Sequence, residues 1–328
     1  MKAVRIHEDG GPEVLRYEDA PDPVAGAGEV LIELRAASLN HLDIWLRRGL
    51  PSAPKPRILG ADGAGVVAAL GEGVDGLEPG DRVVVNPGLD DGARIVGEHM
   101  DGTHAELIAL PADYVHPLPD SLSFEKAAAF PLVFETAYRL LVTRAGLREG
   151  DWVFVWGIGS GVATATLQVA KALGARVLVT SSSDEKLGRA RDELGADATV
   201  NHETADVVAA VREATDGRGA DVVVEHVGEA TWKTSLQVAA PQGRVAVIGA
   251  TSGPNPPANL HRIWWKQLTI VGSTMGTRED FAAVYELVKS GRAQPVVDRV
   301  FPLAEAAAAH EHLEAGRQLG KVVLRIPE

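Results

Sequence analysis

Along the first third of the chain, short apolar runs rich in β-branched residues alternate with Gly, Pro and Asp: VLIELRAAS at 30–38, GVVAAL at 65–70, DRVVVNPG at 81–88 and AELIALP at 105–111. Runs of this length bounded by turn formers predict a compact β-rich domain. From Ser121 the rhythm changes. Strand-like runs WVFVW (152–156), RVLVT (176–180), ATV (198–200), DVVVE (221–225), RVAVIG (244–249) and LTIVG (268–272) are separated by helical stretches. That alternation predicts an α/β domain, a doubly wound parallel sheet with right-handed crossovers. QPVVDRVFPL, an Ala-rich helix and GKVVLRI follow, a tail suited to return to the first domain. The expected division is a β-rich domain over 1–118, completed by 290–328, and an α/β domain over 119–289.

Composition limits the class of protein. At 328 residues the chain is long for a single core, and 45% hydrophobic with 23% charged residues is ordinary for a soluble globular protein. A formal net charge of −13 argues against nucleic-acid partners and anionic membrane surfaces, which require clustered Lys and Arg. No apolar run approaches the roughly 18 residues of a membrane span. MKAVRIHEDGG lacks the apolar core of a signal peptide, so a cytoplasmic location is expected. Without cysteine there is no disulfide, thiolate nucleophile or Cys-bound metal.

The stretch VFVWGIGSGVATATLQVAKALG at 153–174 carries the strongest local signal. The buried strand ends in a turn containing Gly157, Gly159, Ser160 and Gly161. Val162, Thr166, Val169 and Leu173 then recur on one helical face, and Gly174 stands at the C′ position. Glycines at a strand-to-helix reversal let backbone approach a pyrophosphate, and the helix N-terminus offers free N–H groups with partial positive charge. This is a dinucleotide site in prospect, with Ala163 where a last glycine is expected.

An NAD site usually places a carboxylate about 20 residues beyond the first glycine, on the ribose 2′-hydroxyl. Here Thr180 is followed by Ser181, Ser182 and Ser183, with Lys186 and Arg189 nearby and no acid before Asp184. Hydroxyls and a cation suit a 2′-phosphate, so NADP(H) is favoured and NAD(H) remains possible. Ser183 also reads as a helix N-cap.

The chain resembles the medium-chain dehydrogenase/reductase superfamily. The resemblance runs nearly end to end, through AASLNHLDIWLRRG, ILGADGAGVVAALGEGVDGLEPGDRVVV, the glycine loop, LGADATVNH, GRVAVIGA and GKVVL. It implies a GroES-like catalytic domain joined to a Rossmann domain, and a homodimer formed through sheet edges near 268–272. It further implies cofactor contacts from Val227, from Gly249, Ala250 and Thr251, and from Gly272, Ser273 and Thr274. His202 stands where related quinone reductases often have a tyrosine near the adenine.

The zinc alcohol dehydrogenases of the superfamily hold their catalytic metal through a cysteine, a histidine and a third ligand. At those positions this sequence has Asn40, Ala61 and a residue near Leu132, so no zinc is expected. The family's four-cysteine lobe is missing after NPG, where GLDDG runs into ARIVGEH. Glu98, His99, His104 and Glu106 are read as a turn with surface histidines rather than a metal group. His310 and His312 fall in the C-terminal helix. Trp264 and Trp265 are read as core packing or a subunit contact.

Without zinc, hydride exchange with a simple alcohol loses several kcal/mol of transition-state stabilisation. A small-molecule quinone or α,β-unsaturated carbonyl asks less, because the charge spreads onto a remote oxygen. Asn40 and Asp43 in SLNHLD resemble the N-x-x-D of zinc-independent quinone oxidoreductases. The expected roles are Asn40 as amide donor to the acceptor oxygen, Thr136 as a second hydroxyl, and Asp43 as the residue orienting the corner. Trp45 would wall the pocket, and His41 or solvent would return the proton. Asp62 is expected to be structural. An alcohol dehydrogenase or carbonyl reductase, and a non-catalytic NADPH-binding protein, are the alternatives.

Overall fold

In the computed structural model, which describes residues 1–327, internal contacts divide the chain into two units. One is Met1–Val133 together with the stretch from Gln294 onward, and the other is Phe134–Ala293. Each predicted apolar run becomes a strand.

In the first unit, β1 (Lys2–Ile6) pairs with β2 (Arg16–Asp19), and β4 (Arg57–Ile58) joins its other side. The main sheet is built on β3 (Glu29–Ser38), where Val30, Ile32, Leu34 and Ala36 alternate into the core. β3 pairs antiparallel with β5 (Asp62–Leu70) and β9 (Leu107–Pro111). β6 (Arg82–Val85) and β10 (Val115–Pro117) extend the sheet beyond β5. β7 (Gly88–Leu89) and β8 (Arg94–Ile95) form a two-stranded hairpin, and Asp90, Asp91 and Gly92 turn it with positive φ. The chain thus closes on itself at the point where the family's cysteine lobe is expected. α1 (His41–Arg47) leaves the end of β3, and α2 (Phe124–Ala128) packs on β3 and β5.

The second unit begins within α3 (Pro131–Tyr138), which continues as a π-helical stretch to Arg144. Six parallel strands follow: β11 (Trp152–Val155), β12 (Arg176–Ser181), β13 (Ala198–Asn201), β14 (Ala220–Glu225), β15 (Ala239–Val247) and β16 (Thr269–Gly272). Their order across the sheet is β13-β12-β11-β14-β15-β16, the doubly wound order that reverses between its first and fourth strands. β11 and β14 are buried at every position, as central strands covered on both faces must be. The crossovers carry α4 (Gly161–Ala172), α5 (Asp184–Asp192), α6 (Val207–Ala214), α7 (Trp232–Val238) and α8 (Leu260–Trp265), and α9 (Arg278–Lys289) packs on α4. Two details differ from the sequence reading. Trp156 has left the strand and forms the bend, and β15 starts at Ala239 because Gln242, at φ 61°, lets it kink and continue.

β17 (Val297–Pro302), α10 (Ala306–Glu314) and β18 (Lys321–Arg325) return to the first unit. β18 lies between β3 and β17 in the main sheet, antiparallel to the first and parallel to the second. Among the described residues no helix is long and apolar enough to cross a membrane.

Candidate functional site

The glycine turn of the second unit is built as its sequence predicts. Gly157 has φ 58°, a conformation that favours glycine. Its N–H donates to Thr180 Oγ1 at 3.0 Å, and Ile158 N–H donates to Thr180 O at 2.8 Å, so the loop is tied to the end of β12. Ser160 caps α4, its Oγ accepting from Ala163 N at 3.2 Å. Val162 and Leu173 are only half-buried, while Thr166 and Val169 are fully covered, and Gly174 ends the helix at φ 80°.

Across the reversal in strand order, the loop after β14 is organised by one buried carboxylate. Glu225 accepts from the backbone N–H groups of Val227 and Gly228 at 2.8 and 3.0 Å and from Thr231 Oγ1 at 2.8 Å. Trp156 Nε1 donates to Ser235 Oγ at 2.8 Å, and Ser235 Oγ donates in turn to Glu225. His226 Nε2 sits 3.0 Å from Trp156 O, which fixes that nitrogen as the protonated one. The loop after β15, with Gly249, Ala250 and Thr251, is laced to it: Thr251 N donates to His226 O at 3.3 Å and Ser252 N to Val227 O at 2.7 Å. Ser273, between Gly272 and Thr274, donates its N–H to Val247 O at 2.9 Å. An open recess of about 850 Å³ brings Gly157, His202 and Val227 together with Trp156, Thr231 and Arg212.

At the end of β12 the serines differ in exposure. Ser181 is buried and its Oγ accepts from Ser183 N at 3.0 Å; Ser183 Oγ accepts from Lys186 N at 3.3 Å as the cap of α5; Ser182 is exposed. Both accepting hydroxyls keep their own hydrogens available to donate. Asp184 is held by Asn201 Nδ2 at 2.8 Å.

In the first unit a buried polar cluster joins β3, β5, α1 and β18. Asn40 begins α1, and its backbone N–H donates to Asp43 Oδ2 at 2.7 Å, while Gly60 N–H donates to Asp43 Oδ1 at 3.0 Å. Asp43 therefore orients the corner. Burial pushes its carboxyl up to about 6 against these two hydrogen bonds. Asp62 Oδ2 accepts from Asn40 Nδ2 at 2.9 Å and from Lys321 Nζ at 2.9 Å, and Oδ1 accepts from Leu132 N at 2.8 Å. Lys321 Nζ also donates to Asn40 Oδ1. An ammonium has only donors, so the amide oxygen must face it and the amide nitrogen must face Asp62. His41 remains exposed on the first turn of α1. Desolvation by the surrounding protein, then the Lys321 ammonium, hold its imidazolium below the usual range.

Trp45 is 38% exposed on α1, and Thr136 is buried in α3, in the second unit. One reading needs correction and another is narrowed. His104 is fully buried rather than on a surface turn, because Gly60 leaves it a slot: a Cβ there would stand 2.3 Å from His104 Cδ2. Desolvation pulls its pKa down to about 4. Of the two alternatives for Trp264 and Trp265, core packing or a subunit contact, their exposure of 59% and 70% removes the first and leaves the second. His99 Nδ1 accepts from Ile95 N at 3.0 Å and His312 Nε2 lies 2.8 Å from Asp298. Among the described residues no group of three or more His, Cys, Asp or Glu is placed to hold a metal ion.

Lys321 and Glu225 join the candidate site without having been singled out from the sequence, and Thr180, read there only as the residue before the serines, ties the glycine turn to β12. For Lys321 the available signal was a lysine heading an otherwise apolar strand, GKVVL.

Residues 26–120 match the alcohol dehydrogenase GroES-like domain family, and residues 161–290 match the family described as zinc-binding dehydrogenase. The chain belongs to the medium-chain dehydrogenase/reductase superfamily and is an oxidoreductase. A quinone oxidoreductase of Pseudomonas aeruginosa is 36% identical to it, covering 98% of this chain and 99% of that protein. The crystal structure of an NAD-dependent alcohol dehydrogenase matches with a TM-score of 0.96 at 45% identity over 100% of both chains. A mycobacterial protein solved in complex with NADPH matches with a TM-score of 0.85 at 33% identity over 99% of each chain.

Proposed function

We propose that the protein is an NADP(H)-dependent reductase of quinones or α,β-unsaturated carbonyls that works without catalytic zinc. The observation that carries this reading is the state of the Asn40 amide. Its carbonyl faces Lys321 and one N–H faces Asp62, which leaves the second N–H as a donor for an acceptor oxygen. The resemblance puts the metal positions of zinc relatives at Asn40, at Ala61 and near Leu132, and the adjacent acceptors Asn40 Oδ1 and Asp62 are occupied by an ammonium. That donor set does not fit tetrahedral zinc, which takes Cys, His and carboxylate ligands.

NADPH, when bound, supplies the hydride, two electrons and one proton's mass delivered to the electron-poor carbon. The residues that would hold it are the turn Gly157–Val162, with the α4 N-terminus on the pyrophosphate. Ser181, Ser182, Ser183 and Lys186 would lie at the 2′-phosphate, and His202 at the adenine end. Val227, Gly249–Thr251 and Gly272–Thr274 would line the remaining length. The favoured 2′-phosphate rests on the absence of an acid at the end of β12, where Ser181 stands.

On the substrate side, Asn40 would donate to the oxygen on which negative charge collects, and Thr136 would supply a second hydroxyl. Trp45 would wall the flat acceptor. His41 or solvent would return the proton that completes the hydroquinone or saturated carbonyl. A homodimer joined through β16, and a cytoplasmic location, complete the reading.

The test is NADPH consumption by chelator-treated protein offered an ortho-quinone and a simple enone, with NADH in parallel. Turnover that survives chelation, and a slower rate with Asn40→Ala at unchanged NADPH affinity, is the expected result. Activity that requires added zinc and an alcohol substrate would replace this reading with that of an alcohol dehydrogenase.

A further inference from the structure

The first unit holds one lysine whose side chain is almost completely withdrawn from water, and it is placed at the site rather than in a structural corner. Lys321 is 4% exposed by side chain, and Asp62, its partner, is 0% exposed. A buried ammonium is costly unless its hydrogens are paired. Two of its three hydrogens go to Asp62 Oδ2 and Asn40 Oδ1. The carboxylate is itself well satisfied: Asn40 Nδ2, Lys321 Nζ and Leu132 N all donate to it, and Ser38 Oγ lies 3.1 Å from it. A plain ion pair would need only Asp62. The contact with the Asn40 carbonyl adds something else, because it tethers and polarises the oxygen end of an amide whose nitrogen Asp62 already holds.

We infer that Lys321 is the positioning residue of the reductase site, holding and polarising the Asn40 amide so that its unused N–H is aimed at the acceptor oxygen. The inference rests on the reading of Asn40 as the oxyanion donor. Two physical effects follow from the geometry. An amide whose oxygen is bound to a cation has a more acidic N–H, since electron density is drawn from nitrogen towards oxygen, and hydrogen bonds in such a chain strengthen one another. Orientation is the second effect. Asp62 already selects the N–H end of the amide, and Lys321 on Oδ1 pins the other end, so the side chain is held at both ends and its unused N–H has one direction. A donor already aimed needs no reorganisation as charge develops. The lysine thus supplies, through one intervening side chain, positive charge behind the acceptor in a site whose other residues do not suit a metal ion.

The experiment is a cycle of Asn40→Ala, Lys321→Met and the double variant, measured as kcat and KM for a quinone, with NADPH affinity followed separately by cofactor fluorescence. Lys321→Met is expected to lower kcat about tenfold or more with NADPH affinity unchanged, and the double variant to be no slower than Asn40→Ala alone. Lys321→Met leaves Asp62 without its counter-charge; if it does not fold, Asp62→Asn/Lys321→Met takes its place with the same expectation. Lys321→Met at the wild-type rate beside a slow Asn40→Ala would overturn the inference and leave the Asn40 reading intact. Additive losses in the double variant would also overturn it, because Lys321 would then act independently of the amide. Asn40→Ala at the wild-type rate would remove the underlying reading itself.

Discussion

Gly60 donates its backbone N–H to Asp43 Oδ1 at 3.0 Å, across the corner where β3 turns into α1. Asp43 Oδ2 accepts the Asn40 N–H from the opposite side, so one carboxylate sets the backbone on both sides of the proposed donor. The arrangement makes the site sensitive to pH and to the size of the residue at 60.

The pH prediction follows from the raised carboxyl of Asp43, about 6 in the folded chain against an ordinary value of 3.8. The folded state binds this proton more tightly than the unfolded state. Its stabilising contribution is therefore complete below about pH 4 and is lost as pH rises through 6. Asp43→Asn cannot titrate, and it presents an N–H to one of the two backbone donors. Urea unfolding should show the variant less stable at every pH. The gap to wild type should widen by on the order of 1–3 kcal/mol between pH 7 and pH 4. A constant gap would show that Asp43 is not the titrating group.

Gly60→Ala should be one of the most damaging small substitutions in the first unit. Gly60 has φ 96°, and a Cβ would lie 2.3 Å from the buried His104 ring and 2.6 Å from Thr103 Oγ1. The expected loss is on the order of 2 kcal/mol or more in unfolding free energy, together with slower turnover as the Asp43 contact shifts. Denaturation midpoints and kcat measured on the same preparation would check both parts.

In the proposed reading, cofactor choice is set by the end of β12. Ser181→Asp places a carboxylate where a ribose 2′-hydroxyl would be received and a 2′-phosphate repelled, and it can still accept from Ser183 N. The ratio of kcat/KM for NADPH over NADH should fall roughly tenfold or more, the scale of one charge-assisted hydrogen bond. An unchanged ratio would place the 2′-substituent elsewhere.

The outer strand of the second unit predicts association. β16 is the last strand of its sheet, and Ile270 is 39% exposed on it, with Leu260, Trp264 and Trp265 exposed on the preceding helix. Unpaired strand edges with apolar side chains are covered in soluble proteins. Light scattering should give a dimer for the wild type and a monomer for Ile270→Lys, with the far-ultraviolet circular dichroism unchanged. A monomeric wild type would contradict the proposed edge-to-edge pairing.

The legible parts of this protein were the local ones. The glycine turn could be read because strand, turn, cap and helix are written within 22 contiguous residues, 153–174. The Asn40 and Asp43 corner was visible for the same reason, three residues apart. Lys321 was not, because its partner Asn40 lies 281 positions away and no periodicity connects them. His104 was placed on the surface because a polar residue beside a glycine turn usually is exposed. Its burial depends on Gly60, 44 residues earlier, having no side chain. The tryptophans at 264 and 265 gave no sign of which side faced water, since an apolar pair in a short helix suits a core and an interface equally.

The placement of β18 has a consequence for synthesis on the ribosome. The second unit is continuous from Phe134 to Ala293 and can fold while the rest of the chain is still being made. The first unit cannot: its main sheet has a vacancy beside β3 until residues 321–325 emerge and fill it. The same few residues carry the ammonium that Asp62 and Asn40 require. Nascent chains released early would therefore hold a finished nucleotide fold, an open sheet and an acid without its ammonium, and the proposed acceptor site is among the last parts of the molecule to come into being.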